Sequence, residues 1–304
     1  MNRIRHWFSL LYQPRKLADA FMMKFPLLTS DRTYIECLWR SKMNYPLNLK
    51  NPRTFNEKLQ WLKLYDRRPI YTTMVDKFAV KEYVANLIGK KYVIPTLGVW
   101  DKTEDVEWDK LPNQFVLKCT HDSGGLVICK DKKKLDIDAA IKKLNKSLHY
   151  NYYMAGREWP YKNVPRRIIA EEFMTDEHGE LRDYKFFCFD GKVKFFKIDF
   201  DRQTCHRANY YDRDGNLLYF GEKVCPPDYE KQLEIPICIE QMINTAEQIA
   251  LKDGFVRVDL YNIDTKILFG ELTLYPGSGF GEFEPGEWDK TIGAMINLPV
   301  DKIP

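Results

Sequence analysis

A lysine followed by a short glycine-bearing turn is the first feature of this 304-residue chain that suits phosphate binding. In residues 115–125, FVLKCTHDSGG, a strand-like run carries Lys118 into a small polar turn, and a second strand-like run, LVICK, follows. Gly124 and Gly125 can adopt positive φ and bring backbone N–H groups close to an anion, while Lys118 supplies a point charge. We therefore predict a hairpin flap over phosphates. The alternative is an ordinary hairpin turn with a surface lysine.

The same turn holds two further candidates for phosphate contact, Ser123 and His121. The imidazole of His121 could contact phosphate, and a hydrogen-bonded structural histidine is an equal alternative. The segment is not a Walker A loop, because the GxxxxGK[ST] pattern is missing and no helix follows.

Two strand-like runs near the end of the chain, FVRVDLY and ILFGELTL, are separated by the turn-forming NIDTK. Because side chains alternate between the faces of a strand, Arg257 and Asp259 share one face of the first run. Glu271 and Thr273 share a face of the second run. Two carboxylates beside an arginine suit Mg²⁺ held jointly by protein and phosphate oxygens. The alternative is a polar, solvent-facing side of a sheet with an Arg–Glu cross-strand pair.

The register of these two runs decides whether the carboxylates meet. We predict that Tyr261 pairs with Ile267 across a five-residue turn. Arg257 then lies opposite Glu271. Asp259 lies diagonally from Glu271 on the same face, within reach of one small cation. A slip of one residue would break this arrangement.

An acidic strand end offers a place for a nucleotide base and ribose. The run RIIAEEFM ends in Glu171 and Glu172, and an acidic loop follows. Backbone groups at a strand end are free to hydrogen-bond an adenine edge, and a carboxylate can accept from ribose hydroxyls. Lys185, at the start of the next strand, would return toward the same site. Two exposed acids and a surface lysine are the alternatives.

The elements that must position these residues change along the chain. Residues 31–90 have mostly helical periodicity, and the run VDKFAVKEYVANLIG places Lys77 and Lys81 four residues apart, on one side of a helix. From about Phe115 the apolar period becomes that of strands. The predicted class is α+β with a largely antiparallel sheet.

Composition excludes several classes of protein. The net charge of +4 is mild for this length and does not require nucleic acid, and no RNA-binding or zinc-finger signature is present. No run of about 18 apolar residues occurs, so no transmembrane helix is predicted. The seven cysteines are odd in number and form no CxxC, which predicts a reducing cytoplasm rather than a disulfide framework. The five histidines complete no zinc pattern, and the adjacent Cys205 and His206 have poor chelation geometry.

The N-terminal segment, MNRIRHWFSLLYQPRKL, is basic and aromatic. Its apolar part is too short for a usual signal sequence. A helix that docks on the body of the protein is the favoured interpretation. The alternative is a helix on a membrane surface whose arginines and lysine face anionic lipid.

The order of these features resembles the ATP-grasp superfamily, and more closely its TupA-like branch, which is named for teichuronopeptide synthesis and found in surface-polysaccharide gene sets. The resemblance runs from about Thr54 to Asn297. It implies an ATP-grasp fold in which a nucleotide is held between a lid subdomain and a larger antiparallel-sheet subdomain. The implied division is a mainly helical region 1–92, a lid 93–174 and a C-terminal subdomain 175–304 with the metal site.

The resemblance also implies a role for each candidate residue. The nucleotide-binding set consists of the phosphate-facing lysines Lys81 (or Lys77) and Lys118, the flap THDSGG, and the adenine hinge Glu171, Glu172 and Phe173. Asp259 and Glu271 resemble the Mg²⁺ ligands, and Arg257 and Lys185 are assigned to catalysis. ATP-grasp enzymes usually carry asparagine two residues after the metal glutamate, whereas this chain has Thr273, whose hydroxyl is a weaker ligand.

The activity that the resemblance implies is an ATP-dependent carboxylate–amine ligase acting through an acyl-phosphate, with ATP and Mg²⁺ as cofactors. Its partners would be a small-molecule or glycan carboxylate and an amine, in the cytoplasm or at the inner face of the membrane, and no nucleic acid. A sugar or polysaccharide kinase and a glycosyltransferase of polysaccharide synthesis are the enzymatic alternatives. A nucleotide-sensing or membrane-scaffold protein is the non-enzymatic one.

Overall fold

The structure is a computed structural model that describes residues 21–299 apart from 23, 176–180, 203 and 232. Its N-terminal part is helical, as the periodicity predicts, and it contains α1 (Asp31–Met43), α2 (Phe55–Tyr65), α3 (Ile70–Val75) and α4 (Ala79–Ile88). A capping box starts α2, because the Thr54 hydroxyl accepts from the backbone N–H of Glu57 while the Glu57 carboxylate accepts from that of Thr54. The predicted N-terminal helix, residues 1–17, lies outside the described residues.

The predicted continuous helix that carries both Lys77 and Lys81 is wrong. The chain breaks between α3 and α4, because the Asp76 carboxylate accepts from the backbone N–H groups of Phe78 (2.9 Å) and Ala79 (3.3 Å) and so starts a new helix. Lys81 lies on α4, whereas Lys77 lies in the break.

A four-stranded antiparallel sheet follows the helical part. It has the order β1-β4-β2-β3 and contains β1 (Thr96–Trp100), β2 (Phe115–Cys119), β3 (Leu126–Cys129) and β4 (Ile168–Glu172). Helix α5 (Ile137–His149) packs on it, and Leu144 joins the buried side chains of Phe115 and Leu117 in a small separate core. The short helix α6 (Tyr152–Gly156) leads back toward β4. The strands β2 and β3 form the predicted hairpin around the glycine-bearing turn.

A six-stranded antiparallel sheet forms the larger part of the molecule. Its order is β11-β10-β5-β6-β7-β8, with β5 (Asp183–Phe189), β6 (Lys192–Phe200), β7 (Arg207–Asp212), β8 (Leu217–Leu218), β10 (Phe255–Ile263) and β11 (Lys266–Thr273). A two-stranded sheet joins β9 (Gly221–Glu222) to β12 (Phe283–Glu284), and this part of the molecule also contains the helices α7 (Ile239–Ile249) and α8 (Glu287–Ala294). The α+β class with antiparallel sheets is therefore confirmed.

The two faces of the large sheet differ in chemistry. Alternate residues of β10 point to each face, and Val256, Val258 and Leu260 are fully buried in the main core, which also includes residues of α7. Aromatic rings fill much of that core, and Phe187 stacks on Phe195 with ring centroids 4.5 Å apart. The opposite face carries buried charged side chains. Within the described ranges, the helices are too short or too polar to span a lipid bilayer.

Candidate nucleotide-binding site

A cleft between the four-stranded and six-stranded sheets contains two adjoining cavities of about 340 and 380 Å³. We call them the charged cavity and the apolar cavity. The residues that line both are Ile94, Lys118, Leu126, Glu171, Arg202 and Tyr261. The two cavities are therefore parts of one cleft that has a charged end and an apolar end.

Three predicted phosphate lysines meet in the charged cavity, although they come from different elements. Lys77 precedes α4, Lys81 lies on α4, and Lys118 lies on β2. Glu171 on β4 forms ion pairs with Lys81 and with Lys118, whose Nζ lies 2.5 Å from Glu171 Oε2. Burial opposes the charge on Glu171, but Lys118 and Lys81 outweigh it and lower the pKa of that carboxyl.

The glycine-bearing turn is fixed by packing rather than by positive φ. Neither Gly124 nor Gly125 has a positive φ, so that part of the prediction is wrong. A Cβ on Gly125 would lie 2.8 Å from Cys119 Cβ and closer still to the Ser147 hydroxyl. The Asp122 carboxylate accepts from the Gly125 backbone N–H at 3.1 Å and from the Ser147 hydroxyl. The turn is thus tied to α5 through Asp122, a residue that the sequence pattern did not single out.

The other residues of the predicted flap are divided between the cavity and the protein interior. Ser123 lines the charged cavity, and its hydroxyl lies 3.2 Å from that of Tyr152. His121 lines neither cavity. Its Nε2 lies 3.2 Å from the carbonyl oxygens of both Ser147 and Tyr150, and burial lowers its pKa. The structure therefore gives His121 a structural environment away from the cavities.

The apolar cavity lies beyond Glu171 along β4. The exposed Glu172 and the half-buried Phe173, both predicted for the adenine hinge, line it. Its other apolar walls come from Ile94, Val116, Leu126, Ile128, Met174 and Leu181. A flat heterocycle would replace water against these side chains, while the acidic strand end supplies polar atoms at the rim.

The register of β10 and β11 differs from the prediction. Asp264 and Thr265, both with positive φ, form a two-residue turn, and the strands extend to Ile263 and Lys266 on either side of it. A bulge at Gly270 then shifts the pairing by one residue. A side chain at Gly270 would crowd the Asp259 carbonyl oxygen at 3.1 Å.

The consequence of this register is that Asp259 lies directly opposite Glu271, and Arg257 lies opposite Thr273. The predicted pair of Arg257 opposite Glu271 is therefore wrong. The predicted grouping of the side chains on one face is found, because Arg257 still reaches the Glu271 carboxylate at 3.1 Å and the Thr273 hydroxyl at 3.0 Å.

Asp259 is the centre of a buried ion network. Arg257 donates to both of its oxygens at 2.6 Å, and Lys185 Nζ lies 3.1 Å from Oδ2. Burial opposes ionisation of Asp259, but the positive charges of Arg257 and Lys185 outweigh it and lower the pKa to about 2. Asp259 is 1% exposed, whereas the Glu271 side chain is 48% exposed and lines the charged cavity. One carboxylate of the pair, Asp259, is therefore buried, and the other, Glu271, is exposed to the charged cavity.

Two further residues of this network were not predicted from the sequence to belong to the site. Asp183 pairs with Lys185 and with Arg202, whose Nη1 lies 2.9 Å from Asp183 Oδ2. Both Asp183 and Arg202 line the charged cavity. The position of Asp183 two residues before Lys185 puts the two on the same strand face, which is a usable signal. Arg202 lies in a loop and had no such signal.

The residues on this face suit a magnesium ion. Asp259 and Glu271 bring hard carboxylate oxygens to opposed positions on neighbouring strands, and Mg²⁺ is usually held by one or two carboxylates together with phosphate oxygens and water. Glu271 presents its carboxylate to the charged cavity, whereas both oxygens of the buried Asp259 accept from Arg257 and one also from Lys185, so Asp259 would exchange one of these cations for the ion. The Thr273 hydroxyl lies 3.3 Å from the Glu271 carboxylate and accepts from Arg257, so it orients its neighbours.

A comparison with known families identifies the family of this chain. The family described as TupA-like ATPgrasp matches residues 57–297, which is most of the chain. The chain belongs to the TupA-like ATP-grasp family. Its fold is accordingly an ATP-grasp fold, and the cleft between the two sheets is the part of this family member in which the candidate residues meet. None of the curated proteins matches the sequence.

Solved structures show remote likeness to this TupA-like chain. The D-alanine–D-alanine ligase from Bacillus anthracis complexed with ATP is 18% identical, with 66% of this chain and 54% of that chain covered and a TM-score of 0.40. The Helicobacter pylori D-alanine–D-alanine ligase is 12% identical, with coverages of 80% and 69% and a TM-score of 0.41. The ATP-grasp ligase PsnB complexed with minimal precursor, Mg and ADP is 13% identical, with coverages of 84% and 65% and a TM-score of 0.38. This chain thus spans little more than half of the Bacillus anthracis ligase.

Proposed function

We propose that this TupA-like ATP-grasp protein is an ATP-dependent ligase that joins a carboxylate to an amine. One observation carries the proposal. Three lysines on one side of the cleft face Glu271 and Arg257 on the other side, Asp259 is buried directly behind Arg257, and an apolar cavity adjoins them. This is the arrangement that a nucleoside triphosphate with its metal ion needs: a base against apolar walls and phosphates among cations.

In the proposed reaction, a carboxylate oxygen of the first substrate attacks the γ-phosphorus of ATP. The bond between that phosphorus and the bridging oxygen breaks, which gives an acyl-phosphate and ADP. The nitrogen of the amine then attacks the acyl carbon, phosphate leaves, and the nitrogen loses a proton to give the amide. Both steps need positioning and charge neutralisation rather than a protein nucleophile.

The residues of the chain divide this work between them. Lys77, Lys81 and Lys118 would neutralise phosphate oxygens from the side of the four-stranded sheet. Asp259 and Glu271 would hold Mg²⁺, which when bound offsets negative charge on the phosphates. Arg257, held by Asp259 and close to Glu271, would steady the transferred phosphoryl group, and Lys185 keeps the Asp259 carboxylate ionised.

The substrates that we propose follow from the family resemblance rather than from the cleft. The carboxylate would be a uronic acid or another acid of a bacterial surface polysaccharide, and the amine an amino acid or a simple amine. The reaction would take place in the cytoplasm, where the nucleotide is available. Contact with the inner face of the membrane through residues 1–17 remains a prediction.

The experiment is an assay of ADP and phosphate release with ATP and Mg²⁺ against crossed panels of carboxylates and amines, followed by mass spectrometry of the products. Release that needs both partners and yields an amide supports the ligase. Release that needs one partner, with phosphate retained on it, would replace the ligase by the kinase. Product formation from a nucleotide-sugar without ATP would replace it by a glycosyltransferase.

Variants of the carboxylate pair test the proposed roles. Asp259→Asn and Glu271→Gln should abolish ADP formation while circular dichroism shows a folded protein. Glu282→Gln is the matched control, because Glu282 is 49% exposed and pairs with Lys223 on the surface. Wild-type turnover in either site variant would refute the metal role, even if the ATP cleft itself is correct.

A further inference from the structure

A carboxylate, an imidazole and a thiol converge at the edge of the large sheet, beside the network described above. Asp199 lies near the end of β6, His206 immediately precedes β7, and Cys225 follows β9. One ligand atom from each of the three lies within 4.8 Å of the other two. His206 Nε2 is 3.3 Å from Asp199 Oδ2. The three residues have no motif spacing, so the fold alone brings them together.

The Asp199 carboxylate is incompletely satisfied by the protein. It is 2% exposed, and its Oδ1 has no hydrogen-bond partner among the described residues. The cation near Oδ1, Lys197 Nζ, is 3.8 Å away, which exceeds hydrogen-bond distance. Buried carboxylate oxygens usually accept at least one hydrogen bond, because leaving them without a partner is costly. This oxygen is therefore suited to a further cation.

The remaining two groups are free to bind the same cation. Cys225 is 4% exposed and forms no disulfide. The His206 side chain is 39% exposed, which leaves an entry path from solvent and room for a small movement of the ring. We propose that Asp199, His206 and Cys225 bind one Zn²⁺ ion.

The set of donor atoms favours Zn²⁺ over Mg²⁺ or Ca²⁺. Thiolate and imidazole are ligands of zinc, whereas magnesium and calcium prefer oxygen alone. Zinc binds sulfur at about 2.3 Å and nitrogen or oxygen at about 2.0–2.2 Å, which in a tetrahedral site puts ligand atoms about 3.5 Å apart, so atoms 4.8 Å apart have to approach by about 1.3 Å. His206 Nε2 and Asp199 Oδ2 are already 3.3 Å apart, so the approach has to come from the Cys225 thiolate, which follows β9. A water molecule would complete a tetrahedral site.

The nearby positive charges do not exclude the ion. Lys185 and Arg202 lie 3.5 and 3.9 Å from Asp199 Oδ2. A zinc ion bound by one thiolate and one carboxylate forms a formally neutral unit, because the thiol loses its proton on binding. The unit still presents carboxylate oxygens to these cations. The ion would link the loops before β7 and after β9 to β6, the strand that carries Asp199. Its role would be structural.

The test is a titration of the full, tag-free chain, purified without metal, with Co²⁺ followed by absorption spectroscopy. Co²⁺ reports a thiolate ligand through a charge-transfer band and a tetrahedral site through intense visible bands. We expect one Co²⁺ per chain, displaced by one Zn²⁺, and a rise in the unfolding temperature when Zn²⁺ is added. Cys225→Ser should abolish the charge-transfer band. His206→Ala should weaken binding at least tenfold, and its exposed position makes it the variant that keeps the fold.

Two control variants make the result decisive. Cys205→Ser removes the exposed cysteine beside His206, and His149→Ala removes a histidine on α5; both should bind Co²⁺ as the wild type does. The proposal is overturned if the wild type gives no thiolate band. It is also overturned if the band survives in Cys225→Ser or if His206→Ala binds normally. Each of these outcomes is independent of ATP binding and therefore of the proposed function.

Discussion

At the scale of single residues, the site is built from charges that the protein itself pairs. Glu171 lies between Lys81 and Lys118, and Asp259 lies between Arg257 and Lys185. In each case burial would discharge an isolated carboxylate, and two cations keep it ionised. The cleft is thus charged before any ligand enters, and a ligand only has to exchange partners with groups already held in place.

Removal of the Glu171 charge tests this pairing. Glu171→Gln leaves two largely buried lysines without their anion, so we expect the free energy of unfolding without nucleotide to fall by about 3 kcal/mol. Glu107→Gln is the control, because Glu107 pairs with Lys110 on the surface with side chains 52% and 76% exposed, and it should cost under about 1 kcal/mol. Urea unfolding measures both. Equal losses in the two variants would contradict the pairing.

The Asp259 carboxylate predicts a specific acid dependence of stability. Its folded pKa of about 2 lies below the ordinary value of 3.8, so the folded state keeps it charged where the unfolded state takes up a proton. The resulting stabilisation is complete above about pH 4 and is lost as the pH falls toward 2. It amounts to about 2 kcal/mol.

We therefore expect the difference in unfolding free energy between wild type and Asp259→Asn to shrink by about 2 kcal/mol between about pH 5 and pH 2. Urea unfolding at a series of pH values measures it. A constant difference for Asp259→Asn over this range would mean that Arg257 and Lys185 do not hold the carboxylate ionised.

At the scale of elements, two turns decide where the site residues lie. The register of the β10–β11 hairpin depends on the Asp264–Thr265 turn and on the Gly270 bulge, which together place Asp259 opposite Glu271. The β2–β3 turn depends on Gly125, which packs against Cys119 and Ser147. Both hairpins contain a glycine that lets other atoms approach closely, Gly270 in the bulge and Gly125 in the turn, and neither glycine has a positive φ.

Adjacent glycines in the β2–β3 turn provide a matched pair. Gly125→Ala would place its Cβ against Cys119 and Ser147, and we expect a loss of about 2 kcal/mol of stability. At Gly124 the nearest atom to a new Cβ is Asp122 Oδ2 at 3.9 Å, so Gly124→Ala should change stability by no more than about 0.5 kcal/mol. Thermal unfolding of both variants compares them. A larger loss at Gly124 would show that backbone conformation, not packing, limits the turn.

Part of this architecture could be predicted from the sequence. Period-two alternation correctly placed Arg257 with Asp259 on one face of β10, and Glu271 with Thr273 on one face of β11, because side-chain direction on a regular strand depends on local geometry. The pairing of the strands could not be predicted, because the bulge adds one residue to β11 and interrupts its alternation, so that Phe269 lies opposite Leu260 and Glu271 opposite Asp259. The break before α4 was missed for a similar reason: Asp76 interrupts an apolar period that continues through it.

At the scale of the whole molecule, the candidate site exists only where separate units meet. The helical N-terminal part supplies Lys77 and Lys81, the four-stranded sheet supplies Lys118 and Glu171, and the six-stranded sheet supplies the carboxylate pair. No segment of the chain contains the site alone. The order of motifs in the sequence could reveal the family. The proximity of Asp199, His206 and Cys225 could not be predicted, because it depends on tertiary contacts and not on the spacing of these residues in the sequence.

The central claim is that this cleft binds ATP with Mg²⁺, and isothermal titration calorimetry of the full chain tests it most directly. We predict saturable binding at one site, weakened about tenfold or more in Lys118→Met, since loss of one charged hydrogen bond costs about 1.5 kcal/mol. Lys134→Met, which changes a lysine that is 86% exposed, should bind as the wild type does. Absence of heat with the wild type, or equal affinity in Lys118→Met and wild type, would contradict the account.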